Sequence, residues 1–159
     1  MPLKIPHCPL CSGVCELKRL SAVSGEDGTL KLTLRDLPVF QCPKNHKGPV
    51  HRDFMIWLIR EIREREAQIA AGKEQGLLFK KHLCNGCGKE LGAKPDRRQA
   101  YPYDLQFEDL APFKLEVDMP LYKCAGCGKE QIRSAKELHG HVPAAMVAIN
   151  DAAGFPHSG

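Results

Sequence analysis

Six of the eight cysteines of this chain stand in pairs with two residues between them: Cys8 and Cys11 in CPLC, Cys84 and Cys87 in CNGC, Cys124 and Cys127 in CAGC. A fourth cluster, CPKNH, opens with Cys42 and offers His46. Two residues between thiols let the backbone turn back so that both sulfurs face one ion. A second such knuckle about 30 to 40 residues on completes the tetrahedral set of soft ligands that zinc prefers.

The peptides CNGCGKEL and CAGCGKEQ are nearly the same, and their glycines suit the positive backbone angles of a tight knuckle. They predict one zinc on Cys84, Cys87, Cys124 and Cys127. A dithiol redox motif is the competing chemistry, but it uses a single CxxC opening a helix in a thioredoxin-like setting, which neither pair has. The other quartet supplies Cys8, Cys11 and Cys42, while Asn45 stands where a fourth cysteine would. His46 is the favoured fourth ligand because it sits on the second knuckle, and imidazole is a normal partner of three thiolates. Cys15, His51 and His7 remain rivals. Cys15 otherwise reads as a small buried hydrophobe, and His82, His139, His141 and His157 as surface or capping residues. The expected cofactor is zinc, two per chain.

A catalytic zinc keeps an open coordination position, whereas four protein ligands close it. No H-x-E precedes the cysteines in deaminase style, and neither G-x-S-x-G nor a phosphate-binding glycine loop is found. The metal is expected to be structural and the chain not an enzyme, with no small-molecule substrate.

The elements that carry these ligands show as an internal repeat. DLPVFQC (36–42) matches DMPLYKC (118–124) class by class, and each is preceded by an alternating apolar run: Leu30, Leu32, Leu34 and Phe113, Leu115, Val117. That period is the mark of a half-buried strand. Each half is expected to run CxxC, strand, turn, strand, a proline-marked turn, a short strand into the second knuckle, then a helix. The first helix should start at Asp53 as N-cap and run to about Ala71, burying Phe54, Met55, Leu58, Ile59 and Ile62. The second should open on the capping box Ser134-Ala-Lys-Glu137 and be interrupted at Gly140 and Pro143. The fold class is thus α+β, small and zinc-stabilised: two zinc-ribbon modules, each a three-stranded antiparallel sheet with a C-terminal helix. Module 1 spans residues 1–71, a linker 72–81, module 2 residues 82–151, and a tail 152–159.

Halves of this size own little core, and structural zinc, at about 10–16 kcal/mol, supplies what the core lacks. Metal-ligand spacing argues against a disulfide framework. With no leader and no apolar run near membrane-spanning length, the expected location is a reducing cytoplasm, with no membrane partner.

CPxC near the N-terminus, the Asp-apolar-Pro-apolar-aromatic-x-Cys approach to the second knuckle and the helix after it resemble the YgiT-type zinc finger. This is the N-terminal zinc domain of MqsA-like antitoxins, and the likeness covers about residues 5–65 and again 82–150. The resemblance implies structural zinc and a protein-binding finger. The chain departs from it in using His46, in the tandem copy, and in the lack of a helix-turn-helix. The expected function is therefore a protein-interaction or regulatory module, antitoxin-like without a helix-turn-helix.

Two contact surfaces are expected. Ile56 and Trp57 lie off the apolar stripe of the first helix and suit a protein partner, unless they pack between the halves. Lys94, Arg97, Arg98, Tyr101 and Tyr103, read as a long loop, suit a single-stranded nucleic acid and a regulator of transcription, the alternative function. A net charge of only +4 gives that alternative little support.

Overall fold

The computed structural model describes residues 6–156, and His157 with the last part of the expected tail lies outside them. Element order is β1 (Glu16–Asp27), β2 (Leu30–Gln41), β3 (Lys47–Pro49), α1 (Phe54–Glu66), β4 (Lys73–Gln75), β5 (Lys81–Leu83), β6 (Arg97–Leu105), β7 (Phe113–Lys123), β8 (Glu130–Gln131) and α2 (Ala135–Ala153). The class is α+β, and every strand pairing is antiparallel.

The repeat is visible as β1-β2-β3-α1 and β6-β7-β8-α2, but its halves do not stand as separate ribbons. The equivalent strands β2 and β7 pair with each other, Leu32 opposite Val117 and Leu34 opposite Leu115, which gives one sheet in the order β1-β2-β7-β6. Antiparallel pairing of equivalent strands is the arrangement of a two-fold axis between the copies. One apolar cluster runs from Cys8 through Leu32, Leu34, Phe54, Leu115 and Val117 to Ile149 and Phe155. Pooling two small cores removes more apolar surface from water than either half could alone.

The helices cross over. α2, from the second half, lies on β1 and β2 of the first. It comes so close that a Cβ on Gly25 would stand 2.2 Å from the carbonyl oxygen of Ala145, and one on Gly28 would stand 2.4 Å from the His141 ring. His141 Nδ1 also lies 2.8 Å from Asp27. In return α1 sends Phe54 and Trp57 onto Phe107 and Phe113 of the second half, with ring centroids 5.0–6.0 Å apart.

Several local expectations need correction. Pro38 and Pro120 mark no turn. Each lies inside its strand, opposite Arg19 and Arg98, where the strand changes its other neighbour: β2 leaves β7 after Arg35 and gains β3 at Val39, and β7 leaves β2 after Asp118 and gains β8 at Tyr122. On that side no ladder bond is required, so the missing N–H is tolerated. The short strands β3 and β8 follow their knuckles rather than lead into them.

α1 stops at Glu66 because the chain beyond is drawn to Ile132, the residue after β8: Ile132 N–H donates to Ala70 O at 3.0 Å and Gly72 N–H to Ile132 O at 2.9 Å. Asp53 sits at the N-cap position without a side-chain bond, and its own N–H donates to His51 Nδ1 at 3.0 Å. α2 is unbroken through Gly140 and Pro143, because its stripe of Leu138, Val142, Ala145, Met146, Ile149 and Ala153 stays buried across the proline. Ser134 does cap it, accepting from Glu137 N–H at 3.1 Å. Gly154 ends it at φ +77, and Phe155 N–H donates to Asn150 O at 3.0 Å. Phe155, expected in a tail, is buried, and the expected linker holds the β4–β5 hairpin.

Candidate metal centres

The knuckles are built from backbone hydrogen bonds before any ligand is considered. In three of them the first cysteine's N–H donates to the carbonyl five residues on, Cys8 to Gly13, Cys84 to Lys89 and Cys124 to Lys129, at 2.8–2.9 Å. The return bond comes from the residue after the second cysteine, which takes a left-handed conformation: Ser12 at φ 61, Gly88 and Gly128 at φ 79. The fourth knuckle is one residue shorter. Cys42 N–H donates to His46 O, and Asn45 carries the positive φ of 67. A cysteine at position 45 would fall on the strained residue itself. The ligand instead comes from position 46, whose ring is long enough to reach back.

The two groups that result are Cys8, Cys11, Cys42 and His46, and Cys84, Cys87, Cys124 and Cys127, with all ligand atoms of each within 4.8 Å of one another. In the first, His46 Nδ1 stands 3.4 Å from both Cys8 Sγ and Cys42 Sγ, and Cys11 Sγ is 3.5 Å from Cys42 Sγ. In the second, Cys84 and Cys127 sulfurs are 3.6 Å apart and Cys87 and Cys124 sulfurs 3.4 Å. Bonds of about 2.3 Å to sulfur and 2.0 Å to nitrogen around a tetrahedron require about 3.8 Å between sulfurs and about 3.5 Å from sulfur to nitrogen. The residues therefore fit a tetrahedral metal ion at each group. Cys15 is not among the ligands. It is buried beside the first group, and that burial pushes its thiol pKa up.

Outer contacts orient the sulfurs. Backbone N–H groups of Leu10, Gly86 and Gly126 point at Cys8, Cys84 and Cys124 at 3.3–3.4 Å. Gln131, fully buried, donates to Cys84 Sγ at 3.2 Å and accepts from Asn85 N–H at 2.8 Å. The backbone N–H of Cys87 and this amide pull the Cys84 thiol down to about 5. At Cys127 the Lys129 N–H acts to lower the thiol, but hydrogen bonding to Cys84, burial and the other two cysteines together push it up to about 11. Donors aimed at a sulfur stabilise its thiolate, the form that ligates.

The centres differ in their setting. Cys8 and Cys42 belong to the main core, whereas the second group rests on a separate small cluster with Leu91 and Tyr122.

The other sequence-derived residues are placed as follows. Trp57 is half-buried against Phe54, Phe107 and Phe113, and Ile56 is 61% exposed. Arg97, Arg98, Tyr101 and Tyr103 lie on edge strand β6 instead of a loop. Arg97 pairs with Glu130 at 2.7 Å, Arg98 pairs with Asp118 at 2.6 Å and donates to Thr29 O at 2.8 Å, and both tyrosines pack on the core. Lys94 is exposed before the strand. Of the histidines, His139 pairs with Glu66, and His82 lies on β5. Leu77, Leu78 and Phe79, which no sequence-derived site includes, are exposed at the tip of the β4–β5 hairpin. Their signal in the sequence is three large apolar residues in a row inside an otherwise polar stretch.

Comparison of the chain with protein-family models, curated proteins and solved structures finds no match.

Proposed function

We propose that the protein is a structural-zinc interaction module, regulatory in role, with α1 as a contact surface for a protein partner. Zinc is the metal best suited to tetrahedra of four thiolates or of three thiolates and an imidazole. Four protein ligands in each group leave no position for a reacting water, which favours a structural over a catalytic role. Reduced thiolates in all four knuckles accord with the cytoplasm. No described helix is long and apolar enough to cross a membrane.

The observation that carries the partner reading is the outer face of α1. Ile56 is exposed there beside Ile59, Arg60 and Arg63, which together line a shallow depression. Arg60 and Arg63 make no side-chain bond among the described residues, whereas Arg19, Arg35, Arg65, Arg97, Arg98 and Arg133 all do. An apolar centre ringed by unpaired arginine is a common composition for the core of a protein interface. Arg97 and Arg98, already engaged within the sheet, offer nucleic acid less than the sequence suggested.

The test is affinity capture from native extract with nuclease-treated and untreated arms, comparing wild type with Ile56→Asp and Arg60→Glu. A protein recovered equally in both arms and lost with either substitution supports the reading. Material that vanishes with nuclease, or capture indifferent to both substitutions, refutes it.

A further inference from the structure

The β4–β5 hairpin ends in the most exposed apolar run of the described residues: Leu77, Leu78 and Phe79 are 99%, 91% and 87% exposed. Gln75 pairs with Lys81, so residues 76–80 form the turn. Gly76 takes φ +107, and a Cβ there would stand 2.4 Å from the Phe79 carbonyl oxygen, so the turn is tight and its apolar side chains project outward. The base is firmly held. Glu74 accepts from Ser134 Oγ at 2.6 Å, Leu91 N–H donates to His82 O at 2.8 Å, and β5 runs directly into the ligand Cys84. Contiguous exposed apolar surface of this kind marks a contact site, because folding gains nothing from it.

We propose that this tip inserts into the interface of an anionic lipid membrane, making the protein a peripheral membrane binder. The tip is separate from α1, and its role does not depend on the α1 contact. Two observations favour lipid over a protein groove. A groove reads one face of a strand, hence alternate residues, whereas three consecutive side chains on a tight turn radiate to both sides and are all covered only by a medium that surrounds them. The apolar tip also stands on a collar of Lys73, Lys80 and Lys81, with Glu74 the one acid between residues 73 and 83. Glu74 is already engaged by Ser134 and by Lys80, the latter at 3.5 Å, while Lys73 and Lys81 have no partner among the described residues. Lys81 lies two residues from Phe79, about 7 Å along an extended chain. With the tip about 5–10 Å deep, the lysine ammonium groups reach the level of lipid phosphates and carboxylates. Each lysine near an anionic surface contributes about fivefold in affinity.

The full-length, zinc-loaded protein is sedimented with phosphatidylcholine vesicles with and without phosphatidylserine. Binding is expected to the phosphatidylserine vesicles, falling as salt rises. The combined Leu77→Ser, Leu78→Ser, Phe79→Ser variant should lose about 100-fold or more, and Lys73→Glu with Lys81→Glu about 25-fold or more. These side chains touch nothing in the core, so metal content and circular dichroism should stay unchanged. A Phe79→Trp variant should gain emission that brominated acyl chains quench. Failure to bind phosphatidylserine vesicles, or binding equal in the serine variant, overturns the proposal. So does a serine variant that loses a co-purifying protein while vesicles bind neither form, since that assigns the tip to a protein groove.

Discussion

Gly25→Ala tests whether the two halves of the chain are one structural unit. Gly25 lies in β1 opposite Leu32, and an added methyl group would stand 2.2 Å from Ala145 O, 2.7 Å from Ile149 N and 2.9 Å from Ile149 Cγ1. Ordinary contact begins near 3.4 Å, and two of these atoms are helix backbone that no rotamer change can move. α2 must therefore back away by about 1 Å, loosening Val142, Ala145, Met146 and Ile149 from the sheet. Overpacking of this kind costs about 1–3 kcal/mol. A strand alanine in open space would return about 0.5–1 kcal/mol over glycine, so the net loss is about 0.5–2 kcal/mol. For a domain of this size that lowers Tm by about 1–8 °C. The assay is thermal unfolding of the zinc-loaded protein followed by far-ultraviolet circular dichroism, with metal content measured alongside. The whole chain should melt earlier in one transition. A Tm equal to or above wild type, or an early transition of half the signal with the rest unmoved, refutes the crossed-helix packing.

Further outcomes follow from the metal centres and their supports. Mass spectrometry should find two zinc ions per chain, and His46→Ala should leave one. Because Cys8 and Cys42 are in the main core, that loss should lower global stability, while Cys87→Ser should free mainly the β4–β5 hairpin and the knuckles around it, read as local hydrogen exchange. Gln131→Leu leaves Asn85 N–H unpaired and removes a donor from Cys84, so zinc affinity at the second centre should fall about 10–100-fold in a chelator competition. Ser134→Ala removes a helix cap, for about 1 kcal/mol, and a donor to Glu74. The Ser134 bond, aided by Lys80, holds the Glu74 carboxyl below its ordinary value, so its contribution is complete above the ordinary glutamate range and lost as pH falls through the lowered one. Denaturant midpoints of the Ser134→Ala variant should accordingly depend less on pH in that acid window than those of wild type.

The ligands were legible because a tetrahedral ion fixes both residue type and spacing, and Ser134 because a capping box is a local device. The β2–β7 pairing was not. Apolar alternation in Leu30–Leu34 and Phe113–Val117 says that each strand has a buried face and is silent about which strand lies beside it. The same silence hid the exchange of helices, since the stripe on α2 fits any apolar sheet. Pro38, Pro120 and Pro143 were read by local rules that tertiary context overrode: a change of strand partner in two cases, a buried stripe crossing the ring in the third. Arg97 and Arg98 looked available because their acceptors, Glu130, Asp118 and the Thr29 carbonyl, are remote in sequence or across a turn.

Because α2 closes over β1, the β1–β2 hairpin waits during synthesis for a helix made well after it. Asp27 and His141 are 114 positions apart, so a nascent chain that has not reached α2 leaves Gly25 without the helix that packs on it. During that interval Cys8, Cys11, Cys42 and His46 can gather their metal, since all four precede the second half in the chain. The first ion then serves as a placeholder for a core whose other half is still being translated, and loss of α2 would cripple β1 as much as the half to which the helix belongs.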